Sequence, residues 1–562
     1  MAIAGGFSFV ELYTPKLVTV LRERYGLRDF KADAIAGLTV AIVALPLSMA
    51  IAIASGVTPD RGLYTAIVGG FIVSAIGGSR FQIGGPAGAF IVLVYATVAA
   101  HGVEGLLLAT FLSGFILLAI GLLRLGTFIK YIPYPVTVGF TAGIAVIIFA
   151  SQIKDLLGLT LSGTEPGDLI PKLQALGSAL PTINAAAVGL AVFTIAVILL
   201  VRRFRPQWPS FLIAVALASV GAGLLHLPVE TIGTKFGGIP RSLPMPELPM
   251  LSMEKIVEVL PAALSFALLG AIESLLSAVV ADSMTGRRHR SNAELVAQGL
   301  ANIGSSIFGG ICVTGTIART ATNVRAGARG PVSGMLHSVF LLLFMLIAAP
   351  LAGYIPLAAL AGVLGIVAWN MAEKHAFGVL LRASRGDAVV LLATFLLVVL
   401  RDLTTGILVG FGLGALLFLH RLAQAVSVEA EQDLPDNVPG TDRTRYDPSL
   451  ATNRDVAVYR ISGAFFFGAA ASVAAALDRI GQQPKVHVID FSAVPVIDST
   501  AVATIDGFVR KGEKNGARVI ISGAAPSVER ALASHGLREP RVTLKPTVAA
   551  ALTALPPGRS SP

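Results

Sequence analysis

The chain has 562 residues, of which 54% are hydrophobic and only 14% charged, and its mean hydropathy is +0.77. Soluble chains average about 25% charged residues, so most of this one is built for hydrocarbon. The net charge of +10 lies in short clusters between apolar runs, Arg202-Arg203-Phe204-Arg205, Arg287-Arg288-His289-Arg290 and residues 325–329, a pattern of cytoplasmic loops that argues against a nucleic-acid groove binder.

Residues 1–32 mix Arg22, Arg24, Arg28 and Lys31 with Glu11, Glu23 and Asp29, and read as a cytoplasmic amphipathic lead-in. Apolar runs follow at about 33–55, 62–78, 86–100, 104–123, 133–153, 183–201, 210–226, 258–281, 292–308, 316–328, 332–350, 356–372, 386–401 and 403–420. A full span needs about 20 residues, so several are marginal on hydropathy alone. Lys and Arg in alternate loops divide fourteen (Arg80; Arg124, Lys130; Arg202, Arg203, Arg205; Arg287, Arg288, Arg290; Arg325, Arg329; Lys374, Arg382, Arg385) against seven, which predicts both termini on the cytoplasmic side. The single cysteine, Cys312, leaves no disulfide and no cysteine metal site, and His289, His337 and His375 lack metal-ligand spacing, so neither metal nor cofactor is expected. The N-terminus lacks the pattern of a signal peptide.

Two runs break the pattern at matching places. One opens Ile83-Gly-Gly-Pro-Ala-Gly-Ala-Phe90; the other is Gly309-Gly-Ile-Cys-Val-Thr-Gly-Thr-Ile-Ala-Arg319-Thr320. Short, Gly/Pro-interrupted segments at corresponding positions of two halves predict an inverted repeat with its site at the midplane. An arginine inside the bilayer costs roughly 3 kcal/mol or more and is kept where backbone lines a cavity. A helix starting near Thr316 aims its positive end at that cavity with Arg319 one turn in, which is an anion site in prospect. Glu273, in Leu268-Leu-Gly-Ala-Ile-Glu-Ser-Leu-Leu-Ser277, is an intramembrane carboxylate and therefore a functional candidate. It can carry a proton, or hold Na⁺ with Ser277 and Thr314; a fixed ion pair with Arg319 is the structural alternative. Ser291-Asn-Ala-Glu294 reads as a capping box opening the ninth helix, and Asp282 as a structural residue near Arg287.

Beyond about residue 425 the composition changes. Glu429, Glu431, Asp433, Asp436, Asp442 and Arg443 make a polar linker (426–452), and residues 453–555 alternate strands (456–462, 485–492, 518–523) with helices (470–480, 500–515, 527–537), a small soluble α/β domain before a short tail, 556–562.

Taken together, Ala44-Leu-Pro-Leu-Ser-Met-Ala-Ile51, Gly84-Gly-Pro86, Ala281-Asp-Ser-Met-Thr285, Thr314-Gly-Thr-Ile-Ala-Arg-Thr-Ala-Thr-Asn323 and Val496-Ile-Asp-Ser-Thr500 resemble the sulfate permease (SulP) family of anion transporters with a C-terminal STAS domain, over nearly the full length. The resemblance implies a polytopic α-helical membrane protein of fourteen segments, two inverted seven-segment repeats forming a core and a gate (33–425), a cytoplasmic STAS domain, location in the cell (inner) membrane, and a homodimer. It implies a substrate site between the first, third, eighth and tenth segments, with Ser48, Ile51, Ala87, Gly88, Ala89, Phe90, Thr316, Ile317, Ala318 and Arg319 at the lining positions, and Ser499 where regulatory relatives carry a phosphorylatable serine.

The expected activity is secondary transport of a small inorganic or organic anion (sulfate, bicarbonate or a dicarboxylate) by alternating access, coupled to H⁺ through Glu273. Alternatives are Na⁺-coupled symport, anion exchange, a passive channel, and a sensor centred on the STAS domain. A nucleobase permease of the same fold would place an acid in the tenth segment, where this chain has Arg319. No nucleotide loop or catalytic triad appears, so enzyme activity is not expected.

Overall fold

A computed structural model describes residues 12–127, 133–163, 165–206, 208–430, 456–478 and 484–555. Glu11, Lys130, most of the linker including Glu431, Asp433, Asp436, Asp442 and Arg443, and the tail lie outside the described residues. The chain separates into two compact units, residues 1–412 and 413–562.

Fourteen helical segments follow one another through the first unit and the helix that leaves it. They are α1 (Leu27–Ala54), α2 (residues 59–76, with a π-helical turn at Thr65–Gly69), α3 and α4 (residues 88–101 and 103–122), α5 (Tyr134–Leu157), α6 (Ala185–Phe204), α7 (Ser210–Leu224), α8 (Met253–Thr285), α9 (Ser291–Ile307), α10 (Ile317–Arg325), α11 (Val332–Ala352), α12 (Leu357–Met371), α13 (Arg385–Leu400) and α14 (Leu403–Gln424). The stretch Gly88–Leu122 is one helix to the eye but is broken at Gly102 (φ 68°, ψ −174°), where the third segment turns into the fourth. Helices at Lys16–Arg22, Leu169–Ala179 and Lys374–Ala383, all missing from the sequence analysis, lie between or before the segments. Side chains such as Leu199, Leu200, Val220, Leu224, Ile347 and Leu351 are exposed, as a lipid-facing surface requires.

Segments α1–α4 pack with α8–α11, and α5–α7 with α12 and α13, so each body draws matching pieces from both halves of the sequence. Small residues permit the tightest crossing: a Cβ on Gly114 would stand 2.6 Å from Gly299 O, and one on Gly299 would stand 2.6 Å from Gly114 O, which joins α4 to α9 backbone to backbone. The first segment begins at Leu27, earlier than expected, because Asp33 is satisfied inside the protein. Its carboxylate accepts from Arg329 N (2.5 Å), Gly330 N (3.1 Å) and Tyr25 Oη (2.7 Å), fastening α1 to the loop before α11. The lead-in is held by an Arg80–Glu23 ion pair and by Arg290 Nη1, which donates to Thr14 O (2.9 Å) and Thr19 Oγ1 (3.0 Å).

The capping box at Ser291–Glu294 does not form. The helix takes Arg290 as its N-cap, and Ser291 Oγ lies 3.0 Å from His289 Nε2. Glu294, fully buried, accepts instead from Ser79 N (2.9 Å), Gln82 Nε2 (2.8 Å) and Gln298 Nε2 (3.0 Å). Three long-range or side-chain donors outcompete the single exposed amide that a capping box would satisfy. Asp282 pairs with His289 Nδ1 at 2.7 Å rather than with Arg287.

The second unit is a five-stranded sheet in the order β3 (Ser427–Ala430), β4 (Val456–Ser462), β5 (Val486–Ala493), β6 (Arg518–Ser522), β7 (Thr543–Lys545). The first pair is antiparallel and the rest parallel, joined through α15 (Phe467–Asp478), α16 (Ser499–Lys514) and α17 (Pro526–Ser534), with α18 (Val548–Thr553) last. Strand β3 falls in what the sequence analysis assigned to linker; it pairs Ser427 with Ser462. Tyr459, Ile461, Ile489, Phe491, Ile505 and Val509 form the core beneath the crossover helices. His487 stacks on Tyr459 (ring centroids 5.8 Å apart) and meets Phe508 edge-on at 5.0 Å, and this burial holds its imidazole below the ordinary value. A folded value depressed below the unfolded one costs stability as pH falls beneath the unfolded value of about 6.5. Amide exchange along β5, corrected for intrinsic rate, is therefore expected to quicken at about pH 5.5 relative to about pH 7.5, and His487→Phe should flatten that difference.

Candidate functional site

Two strands of two residues each cross at the centre of the first unit. β1 (Gly84–Gly85) pairs antiparallel with β2 (Thr314–Gly315), Gly84 opposite Gly315 and Gly85 opposite Thr314. Each is followed by a helix whose first turn points back at the crossing: α3 opens through a 3₁₀ turn at Gly88–Phe90, and α10 starts at Ile317 with Thr316 as N-cap. Neither N-cap, Ala87 or Thr316, closes its helix with a side chain. Thr316 spends its hydroxyl on Ile83 O (3.1 Å), which also accepts from Thr316 N (3.0 Å). The first-turn amides of two helices thus converge with their positive ends unopposed, a ready arrangement for an anion.

Arg319 stands in the first turn of α10 and is 2% exposed. Its Nη2 donates to Ser48 Oγ on α1 (3.2 Å) and to Pro86 O ahead of α3 (3.3 Å), so one side chain ties three of the elements together. A Cβ at position 85 would collide with Arg319 Nη1, so any side chain there would push the guanidinium out of place. Of the residues proposed from sequence, Ser48, Ala87, Thr316 and Arg319 come together here. Gly88 is half-buried beneath Ile148 Cδ1 and Met371 Sδ, each 3.4 Å from where its Cβ would be. Ile317 is partly exposed and Ala318 exposed on the open side of α10, while Ile51 and Ala89 are buried in the apolar core. Phe90 packs edge-on against Phe266 (6.1 Å). Ile148 of α5 and Met371 of α12, which cover the α3 terminus, belong to the other body of the unit, and hydropathy gave no reason to single them out.

The seat for the crossing is one face of α8. Ser274 Oγ lies 2.8 Å from Thr314 Oγ1 and accepts from Gly315 N (3.2 Å), Thr314 Oγ1 reaches Gly270 O (3.4 Å), and Ser277 Oγ donates to Thr320 Oγ1 (3.0 Å), which takes Ile83 N (3.1 Å) as well. Gly270, Ser274 and Ser277 recur at helical spacing, a stripe from which the sequence analysis took only Ser277. Glu273 adjoins this stripe, 8% exposed, and no hydrogen bond or ion pair to Arg319 or any other described residue engages its carboxylate. Glu373, just beyond α12 in a left-handed conformation (φ 39°, ψ 43°), is within electrostatic reach of it. That second carboxylate was read as loop because it sits in a charged run. No group of His, Cys, Asp and Glu able to hold a metal occurs among the described residues. In the second unit Ser499 is exposed at the first position of α16, beside Asp498, whose Oδ1 caps the helix at Ala501 N (2.9 Å) and whose Oδ2 accepts from Phe467 N (2.9 Å).

On the far side of α3, Tyr95 Oη donates to Glu165 O (2.6 Å) in the loop after α5, and Lys172 Nζ lies over its ring (5.1 Å) while pairing with Glu165 (3.0 Å). This stitch joins the two bodies of the unit on one face of the crossing.

Comparison with known proteins follows this architecture. Residues 30–394 match the model of the sulfate permease family, and residues 447–551 match that of the STAS domain. A putative sulfate transporter of Bacillus subtilis (strain 168) is 40% identical over 91% of this chain and 95% of its own length, and a bicarbonate transporter, BicA, of Picosynechococcus sp. is 31% identical over 90% of each. Among solved structures, murine solute carrier 26 family member A9, an anion transporter in the inward-facing state, superposes with a TM-score of 0.84 at 19% identity over 98% of this chain and 95% of that one. The transmembrane domain of a cyanobacterial BicA gives 0.58 at 30% identity over 69% and 98%. Two inverted seven-segment repeats followed by a STAS domain are therefore the fold, and the chain belongs to the sulfate permease family, whose members are membrane transporters and not enzymes.

Proposed function

We propose that this protein is a secondary active transporter of a small oxyanion such as sulfate or bicarbonate, which binds between the α3 and α10 termini against Arg319 and moves by alternating access. The observation that carries the reading is the convergence of two uncapped helix ends and a buried guanidinium on one point. The relatives named for sulfate and bicarbonate support the substrate class. Alternating access is supported by the Tyr95–Glu165 stitch, which closes one face while Ala318 is exposed. Charge asymmetry of the loops puts both termini and the STAS domain in the cytoplasm, with residues 33–425 as the transport path and 453–555 serving assembly, as in a homodimer, or regulation.

Coupling runs through Glu273. A buried carboxylate without a partner is costly as an anion, and a proton removes that cost with no coordination shell. A second reading, Na⁺ coupling, is favoured by the hydroxyls of Ser277 and Thr314, which spend their hydrogens on Thr320 and Gly270 and leave lone pairs to a cation. Uptake of labelled sulfate and bicarbonate into proteoliposomes under separate pH and Na⁺ gradients tests both. With proton coupling, Glu273→Gln is expected to lose concentrative uptake at least tenfold while retaining exchange. Uptake that follows the Na⁺ gradient at fixed pH overturns the proton, and a variant that still concentrates substrate removes Glu273 from the mechanism.

A further inference from the structure

The face of the first unit opposite the cytoplasm carries a buried cation that the anion site does not use. Lys172, in the helix Leu169–Ala179, is 3% exposed. Its Nζ donates to Ser151 Oγ of α5 (3.1 Å) and pairs with Glu165 Oε1 (3.0 Å). A buried ammonium is costly unless its N–H bonds are answered, and both of these answers come from the body that holds α5. Over the ammonium lies the ring of Tyr95, its centroid 5.1 Å from Nζ.

Tyr95 belongs to the other body. It stands on α3, and its ring is backed by Gly56 in the turn between α1 and α2 (φ 77°), where a Cβ would stand 3.2 Å from Tyr95 Cδ2. Its Oη donates to Glu165 O (2.6 Å). The ion pair is therefore carried whole by one body, and the ring and hydroxyl that cover it by the other. Separating the bodies here sacrifices one neutral hydrogen bond and one cation–π contact, and leaves the Lys172–Glu165 pair intact. A cleft of about 460 Å³, bordered by Tyr95, Glu165, Ser151 and Lys235, stands ready to hydrate that pair. Opposite charges divided between the two bodies would hold far harder, because parting them strands each one.

We propose that Tyr95 is the outer latch of the carrier: seated on Lys172 and Glu165 it shuts the anion site from outside, and the strength of this contact sets the fraction of molecules open to that side. The proposal rests on the reading of alternating access given above. Apparent affinity on one side scales with the fraction of protein open to that side. Weakening the latch must therefore improve binding from outside, the opposite of what damage to a merely structural residue does.

The test uses the full chain in vesicles of fixed orientation. Its single native cysteine, Cys312, is buried, so one reporter cysteine can be added at a time. Ile91→Cys, one helical turn from Tyr95 toward the crossing and 1% exposed, is labelled from outside with a membrane-impermeant maleimide. Ala318→Cys, exposed on the open side of α10, is labelled from inside. Tyr95→Phe keeps the ring and loses the hydroxyl; it is expected to speed labelling of Ile91→Cys about fivefold, the equilibrium worth of one neutral hydrogen bond. Tyr95→Leu loses the cation–π contact as well and should add a further factor of about two to five. Half-saturating sulfate outside should fall by the same factors, while labelling of Ala318→Cys does not rise. Labelling of Ile91→Cys no faster in Tyr95→Leu than with Tyr95 in place overturns the latch, as does a rise at both reporters, which marks a loosened fold. Should Ile91→Cys fail to fold, half-saturation decides on the native-cysteine chain, and an outside value that stays put or rises in Tyr95→Phe overturns the proposal. A parent that takes up labelled sulfate or bicarbonate yet never labels at Ile91→Cys from outside overturns alternating access itself. Labelling in the parent that the Tyr95 variants merely match sinks the latch alone.

Discussion

Arg319→Ala is expected to leave a folded protein with no measurable affinity for sulfate or bicarbonate. The guanidinium is 2% exposed and brings the only side-chain cation to the junction of α1, α3 and α10 among the described residues. A charge-assisted hydrogen bond is worth about 1.5–3 kcal/mol, or roughly ten- to a hundredfold in affinity for each one lost. The variant also frees Ser48 Oγ and Pro86 O, but both border the site and can be hydrated, so folding should survive. Calorimetry on protein that elutes as a single species decides it, and parental affinity would refute the assignment. Arg319→Lys should fall between, because a point charge survives while the fork that reaches two acceptors does not.

The largest stability effect is expected elsewhere, at Glu294→Ala. Its carboxylate answers three buried donors, Ser79 N, Gln82 Nε2 and Gln298 Nε2, and truncation strands all of them. Breaking a buried charged network of this kind costs about 3–5 kcal/mol. The damage should spread to binding, since the Gln82 amide packs so closely on Gly315 that a Cβ there would collide with it. Thermal unfolding in detergent measures the first consequence and anion affinity the second. A midpoint within a degree or two of the parent would show that the network is dispensable. Glu273→Gln makes the useful contrast: that carboxylate holds no described partner, so its loss should alter coupling and hardly touch stability.

What the sequence made legible here was whatever broke the local rule. Glycines, threonines and an arginine inside apolar runs marked both crossing strands and the start of α10, and Thr316 stands at the cap where the pattern put it. The apolar runs at 86–100 and 104–123 separated α3 from α4 even though the two are continuous in helical terms, and Gly102 is where the structure makes the break. Glu294 was misread for the opposite reason. Ser291-Asn-Ala-Glu294 satisfies a local pattern, and nothing within ten residues reveals Ser79 or Gln82 two hundred positions upstream. Ser274 and Glu373 escaped because one looks like ordinary helix filler and the other like a charged loop, and each gains meaning only from the element packed against it. Strand β3 is four residues with one acidic side chain, too short to show a period of two.

The pairing of Gly84 with Gly315 also bears on how the molecule is made. Its two strands belong to opposite halves of the chain, and each satisfies the other's amides and carbonyls at a depth where lipid offers none. During synthesis the first half emerges alone, with its unwound stretch deprived of partners until the tenth segment arrives. The pairing can therefore close only once the tenth segment has been made, which places this contact late in the assembly of the first unit.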